Sequence, residues 1–456
     1  MHHQSDTVPD LSRRSVLALG LTAAAGAVAC SRGTVSSRAL RTTDEALVSA
    51  WDRDPWSLGS YSAIPAGTSQ RVRRVLADTV VEQRLVLAGE YADPDYPATV
   101  HGAYRSGRRA ARLLDRQLGP PSRNQPVIIV GAGMAGLAAA EYLQNRGHLV
   151  RIFEARDRVG GRIHTVTDWG VPVEMGATWV HGVTGNPVTD LVRRAGCGLA
   201  KTRYNDLSVR TRDGRPITSF QPARNLRSLL AKLEEGGYPA AWSVTDALRQ
   251  AGWNTTGPRR RYLLNSLITQ EYGLGPQQLG VRALSEGRYD YPGGDAMVTG
   301  GFSRVPELLA GRLNITRNTP ISAVTIDGDR VSVRTADGSV VPGTAAVVAV
   351  PLALLQAEQP AITPLPRPTG QALTRLTTGH LERVALSYSA RWWPNREVLG
   401  VVGAPQQRWS EWFDLTNNLG RPALVGFSAG KSALSRPTAP TRCADQAQKV
   451  LQRAFK

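Results

Sequence analysis

An unbroken apolar run over residues 127–130 ends at Gly131, and an amphipathic helical pattern follows as far as Arg146. Gly147 stands where a helix closes on a left-handed residue, and a second apolar run, 149–153, ends in Glu154. The pattern predicts strand, tight turn, helix and strand, the opening unit of a parallel α/β sheet. Residues 313–341 alternate as strands and turns, with Asp327-Gly328-Asp329 and Asp337-Gly338 as hairpin signals. Residues 345–350 read as a buried strand stopped by Pro351, and residues 100–118 as a helix. Residues 119–126, which include Gly119-Pro120-Pro121-Ser122, read as a linker.

The first 38 residues follow a different pattern. Arg13 and Arg14 precede an apolar run over 16–29 that contains no acidic residue and is too short to span a bilayer as a stable helix. Ala27-Val28-Ala29-Cys30 closes it as a loose lipobox. A buried N-terminal helix is the alternative. The paired arginines and the polar stretch that follows favour a twin-arginine export signal, a route that carries folded proteins and suits a chain that loads a cofactor first. The expectation is export to the cell envelope or beyond, with Cys30 a candidate for lipidation and membrane tethering.

With 456 residues, 41% of them hydrophobic, the chain is long enough for a large core and two domains. Abundant Gly and few aromatics suit an α/β protein with tight strand–helix turns. The net charge of +18 comes mostly from arginines that are spread along the chain without interleaved aromatics, so no nucleic-acid surface is predicted. Cys30, Cys197 and Cys443 form no CxxC and no metal-ligand spacing, so neither a disulfide framework nor a metal site is expected.

The chemistry concentrates at Gly131-Ala132-Gly133-Met134-Ala135-Gly136, a GxGxxG in register with both strands and the helix. Gly131 permits the turn, Gly133 lets backbone approach a pyrophosphate, and Gly136 lets helix pack on strand. The helix N-terminus offers N–H donors and a positive dipole to phosphates. Glu154 is placed to accept both hydroxyls of an adenosine ribose.

The residues that follow separate FAD from NAD. Glu154-Ala155-Arg156-Asp157-Arg158-Val159-Gly160-Gly161-Arg162 resembles the EAxDRxGGR extension of flavoproteins that include amine oxidases, phytoene desaturases and protoporphyrinogen oxidases. The resemblance implies that Arg162 contacts the FAD phosphates, with Ala155, Arg156 and Gly161 around them. Glu174-Met175-Gly176-Ala177-Thr178-Trp179-Val180-His181-Gly182, with Gly185-Asn186-Pro187, is similar to the polyamine and spermine oxidase branch of the flavin-containing amine oxidases. By that resemblance Gly176, Ala177, Thr178 and Trp179 lie beside the isoalloxazine, His181 faces the catalytic cavity and Ile321 meets the adenine. The implied fold is α/β: a Rossmann-like FAD domain with a mixed-sheet α+β substrate domain.

The order of the motifs departs from the family. Its closing motif, a strand ending FAGE and a helix beginning TVHGAY, matches residues 87–90 and 99–104 here, upstream of the glycine loop. The resemblance places Glu90, Thr99 and Val100 at the flavin's N1/C2=O edge, where a helix N-terminus would stabilise the charge left by reduction. A circular permutation explains the order, and a wrongly joined gene fragment is the alternative. The permutation predicts that residues 39–43 lie near the last helix. The expected organisation is 1–38 signal and linker; 39–118 displaced FAD-domain part; 119–126 linker; 127–204 and 291–352 FAD domain; 205–290 and 353–456 substrate domain.

Two positions bear on mechanism. Monoamine oxidases carry a Cys–Tyr pair where this chain has Ser60-Tyr61, so FAD is expected to be non-covalent, with Tyr61 as an aromatic wall of the substrate cage. Most members hold a water against the flavin with a lysine at the position of Arg383, and an arginine cannot serve as a base. The absence of a carboxylate-binding arginine after Ala177 points to a primary or secondary amine. A polycation would require gathered acids, for which Glu271, Glu286, Asp290 and Glu411 are candidates. The implied reaction is hydride transfer from the amine to flavin, with dioxygen reduced to peroxide. A flavin dehydrogenase or desaturase with another acceptor, and a flavin-binding envelope protein without turnover, stand as alternatives.

Overall fold

The computed structural model describes residues 44–122, 124–219, 221–286 and 291–456. The twin-arginine segment, Cys30, residues 39–43 and Asp290 lie outside the described residues.

Two six-stranded sheets organise the chain. The first runs in the order Ile315–Thr316, Val150–Phe153, Val127–Val130, Ala345–Val348, Leu85–Leu87, Val80–Val81, parallel throughout except at its last edge. Its central strands are apolar on both faces because both are covered. Val86, Val127, Ile129, Ile152, Ala345 and Val347 face the helices Val100–Asp115 and Met134–Asn145. Leu85, Leu87, Ile128, Val130, Ala346 and Val348 face a core shared with the antiparallel strands Ile321–Asp327 and Arg330–Thr335. The predicted strand–turn–helix–strand unit is present, with Gly147 in the left-handed region at φ +90° behind its helix.

The second sheet is mixed: Glu45–Val48, Leu381–Ser387, Ala423–Ala429, Glu411–Asp414, Val398–Val402, Leu207–Thr211. The helix Pro440–Phe455 seals one face, packing Ala447 and Leu451 with Val384, Leu386 and Trp412. The other face carries Ala385, Phe413, Val425 and Phe427 against Met175 and Trp179. Two segments sit differently from expectation. Glu45–Val48, expected with the dinucleotide-binding part, pairs with Leu381–Ser387 in the second sheet. Ala361–Thr363, expected with the substrate domain, pairs with Ile321–Asp327. Long-range strand pairing decides both placements, and local sequence carries no record of it.

Among the described residues no helix is long and apolar enough to cross a membrane, and no group of three or more His, Cys, Asp and Glu could hold a metal ion.

Candidate active site

Residues of both sheets line one cavity of about 310 Å³, within the roughly 300–1,000 Å³ of ordinary ligand pockets. The strand ends of the first sheet build one end of it. Gly131 turns the chain at φ +101°, and a Cβ there would stand 2.8 Å from the Ala349 carbonyl oxygen. A Cβ on Gly136 would come within 1.9 Å of the Gly131 carbonyl oxygen, so helix and turn touch backbone to backbone. A Cβ on Gly133 would meet nothing within 4 Å, and the helix it starts has no side-chain cap. Open space before an uncapped helix N-terminus fits a phosphate group. Glu154 is buried and oriented by the backbone N–H groups of Ala132 (2.7 Å) and Arg156 (2.9 Å), leaving lone pairs for a ribose diol. These features fit a dinucleotide cofactor.

Gly131, Gly133, Met134, Ala135, Glu154, Ala155, Arg156, Gly161, Arg162 and Ile321 all line this end of the cavity. Ala132 and Gly136 are not among the lining residues; they hold Glu154 and the helix in place from behind. Arg156 also donates to Asp54 (2.5 Å) and Ser57 (2.8 Å), tying the upstream segment to the dinucleotide loop.

The upstream segment completes the middle of the cavity. Thr99 caps the helix Val100–Asp115 by accepting from the Gly102 N–H, and Glu90, Thr99 and Val100 line the wall. Arg162 donates to the Ser60 carbonyl (2.8 Å) and to Glu90 (3.0 Å). Burial alone would raise the pKa of Glu90; the charges of Arg162 and Arg73 and the Ser62 hydrogen bond outweigh it and hold the carboxyl below the usual range. The Ser60 hydroxyl donates to the Leu381 carbonyl (2.9 Å) and accepts the Leu381 N–H (2.8 Å).

The far end is walled by Gly176, Ala177, Thr178, Trp179, Tyr61, His181, Arg383 and Phe427. Tyr61 donates to the Gln270 carbonyl at 2.7 Å, which fixes its ring. Arg383 donates to Thr178 (2.6 Å) and to the Glu174 carbonyl (2.9 Å) and lies over the Phe427 ring at 5.4 Å. Burial pulls its pKa down to about 10, with Glu174, Glu382 and Tyr61 pulling the other way, so it stays charged at neutral pH. Of the acids named as polycation candidates, Glu271 and Glu286 line the cavity, whereas Glu411 is buried outside it against Ser266. Glu286 is paired with the fully buried Arg73, whose second nitrogen lies 3.2 Å from the carboxylate.

Asp295, Gln270 and Phe427 also line the cavity, and sequence reasoning did not single them out. Asp295 directly follows the Tyr291-Pro292-Gly293-Gly294 segment, which was the nearest available signal.

Known proteins give the same reading. The profile of the family described as flavin containing amine oxidoreductase matches residues 35–115 and 134–456. Polyamine oxidase 3 of Oryza sativa subsp. japonica is 30% identical over 361 residues, which span 73% of this chain and 75% of that one. The human lysine-specific histone demethylase 2 is 27% identical over 73% of this chain and 44% of its own length. A solved structure of putrescine oxidase bound to putrescine superposes with a TM-score of 0.56 at 22% identity, covering 72% of this chain and 81% of that one. The chain therefore belongs to the flavin-containing amine oxidoreductases, enzymes that oxidise amines with a flavin.

Proposed function

We propose that the protein binds FAD without a covalent link and oxidises a primary or secondary amine to an imine, which water then hydrolyses. One observation carries the reading: the glycine loop and Glu154, the helix capped by Thr99, and the wall bearing Tyr61, His181 and Arg383 enclose a single cavity. The flavin supplies acceptance of hydride from the carbon bearing nitrogen and return of the electron pair to an acceptor such as dioxygen.

The chain's own residues do the rest. The N-terminus of Val100–Asp115 presents the positive end of its dipole to the cavity middle, where negative charge develops. Arg162 supports that wall through Glu90 and Ser60. Tyr61 forms one aromatic side of the amine's chamber, and Trp179, set edge-on to Phe413 at 5.2 Å, excludes water from another. A serine hydroxyl engaged at both the N–H and C=O of Leu381 supports a non-covalent flavin at Ser60.

We also infer that the chain is a circular permutation. The family profile matches two segments, and the strand Leu85–Leu87 and helix Val100–Asp115, though encoded upstream, pack beside Ala345–Val348 and Met134–Asn145. Export by the twin-arginine route remains part of the proposal, resting on Arg13, Arg14 and the apolar run.

Mixing the purified protein anaerobically with 1,4-diaminobutane, spermidine and benzylamine tests the reaction, since substrate must bleach the flavin. No bleaching with any amine would overturn it. Acid precipitation should release all the FAD into the supernatant. Arg383 favours a second reading of the oxidative half: a fixed, charged guanidinium stands where the resemblance expects lysine and water, so an acceptor other than dioxygen is the alternative. Admitting air after bleaching separates the two.

A further inference from the structure

We propose that Asp295 and Tyr204 orient His181 as the base that takes the proton from an incoming ammonium, so that the amine reaches the flavin neutral. Hydride can leave the carbon only if the nitrogen lone pair is available. An alkylamine resembling lysine, with a pKa of about 10.4, is neutral at pH 7 in only about one molecule in 10³. A proton acceptor on the cavity wall lets the abundant ammonium form enter and gives its proton a place to go inside the site.

His181 Nδ1 lies 3.1 Å from Asp295 Oδ2. The same oxygen accepts the Tyr204 hydroxyl at 3.0 Å, and Oδ1 accepts the Gly182 N–H at 3.1 Å. The Asp295 side chain is fully buried, whereas 37% of the His181 side chain is accessible, and both line the cavity. A carboxylate held by two other donors is an acceptor toward Nδ1, so Nδ1 carries the hydrogen and the neutral ring keeps its lone pair on Nε2. Asn186 fixes the backbone behind the ring, donating to the His181 carbonyl at 3.0 Å.

Three of the other titratable groups of the cavity are bonded within the protein. Glu90 is bonded to Arg162, Glu286 to Arg73, and the Tyr61 hydroxyl to the Gln270 carbonyl. His181 is the one histidine among the described residues that line the cavity. Nearby, Tyr291 stacks on Tyr96 with Arg105 over the Tyr96 ring, and Asn186, which holds the His181 carbonyl, also lies 3.3 Å from His101 Nδ1. Glu271 lines the same chamber.

In the step, an N–H bond of the substrate ammonium breaks and an Nε2–H bond forms. Asp295 holds the resulting imidazolium as an ion pair, and the accessible ring returns the proton to water. His181 touches the substrate; Asp295 and Tyr204 are positioning residues.

The inference rests on the amine-oxidising reading, and the experiment keeps the two apart. The second-order rate of anaerobic flavin bleaching by 1,4-diaminobutane and by benzylamine is followed from pH 6 to 10. If neither amine bleaches the wild-type flavin, the amine reading itself has failed. If the wild type is bleached, Asp295→Asn and His181→Gln should lower the rate at pH 7 by about 10–100-fold, and the penalty should shrink as pH rises and solvent supplies neutral amine. Tyr204→Phe, which removes one hydroxyl, should move the acidic limb the same way by less. A loss equal at every pH, or a profile identical to wild type, overturns the proposal. Should Asp295→Asn fail to bind flavin, His181→Gln decides, because 37% of that side chain is accessible whereas Asp295 is fully buried.

Discussion

Alternate side chains of Leu381–Ser387 fall on opposite faces, so Arg383 reaches the cavity while Glu382 meets Ser49 at 2.5 Å and approaches Arg436 on the other side. Arg383→Lys exchanges a planar fork bonded to Thr178 and the Glu174 carbonyl for a smaller, more strongly hydrated ammonium that can hold water. Re-oxidation of the bleached flavin in air should rise by about tenfold, with FAD retained, and stopped-flow absorbance reads both. Glu174 offers a second test. Burial pushes its carboxyl up to about 6, against hydrogen bonds from Phe302 N–H and Thr165 and the charge of Arg383. A carboxyl raised in the fold stabilises most when protonated, so its contribution is full below about pH 4.5 and lost as pH rises through 6, amounting to about 2 kcal/mol. Glu174→Gln, unable to ionise, should therefore gain about 2 kcal/mol relative to wild type between pH 4.5 and 7 in urea unfolding. An unchanged gap would show that Glu174 is not held neutral. The glycine loop and Glu154 were legible because their chemistry is local. Asp295 was not, since its partner His181 lies 114 residues away and only the fold joins them.

Among the elements, the two helices that aim their N-termini into the cavity depend on one close approach. A Cβ on Gly107 would stand 2.0 Å from the Ala135 carbonyl oxygen, so the helices Val100–Asp115 and Met134–Asn145 touch at backbone distance. Gly107→Ala has to push them apart. Overpacking of this kind costs about 1–3 kcal/mol. It should also weaken FAD binding by at least about tenfold, because both helix ends shift against the cofactor. Thermal unfolding and flavin titration measure the two effects; wild-type affinity would mean that the helix ends are not binding elements. Buried parallel strands such as Val127–Val130 were readable from sequence because they are apolar on both faces. Glu45–Val48 was not assigned to its sheet, because its pairing with Leu381–Ser387 spans most of the chain and half its residues carry polar or small side chains. Ala361–Thr363 escaped for the same reason, its partner Ile321–Asp327 lying across three intervening strands and a helix.

At the scale of the whole molecule, the motif order sets a question that chain connectivity can answer. Residues 44–115 supply two strands to the first sheet, one to the second and a helix to the cavity, although they precede the glycine loop. Residues 116–122 and 124–125 run mostly along the surface between the helix Val100–Asp115 and the strand Val127–Val130. At the opposite junction, the strand Glu45–Val48 packs against the last helix, Pro440–Phe455. If the fold is a permuted one, cutting at the surface connection and joining residue 456 to residue 44 restores the family order without moving any packed element. A flexible Gly/Ser join of about six residues spans roughly 12–15 Å, enough to link neighbouring elements. The rearranged chain, beginning at residue 124 and ending at residue 118, should fold, bind FAD with the same visible spectrum and be bleached by the same amines. Its unfolding midpoint should lie within about 5 °C of the parent, since loop exchange alters closure entropy by only about 1 kcal/mol. A chain that is insoluble or does not bind flavin would mean that the present order is required for folding, and the permutation reading would fall while the cofactor site stood.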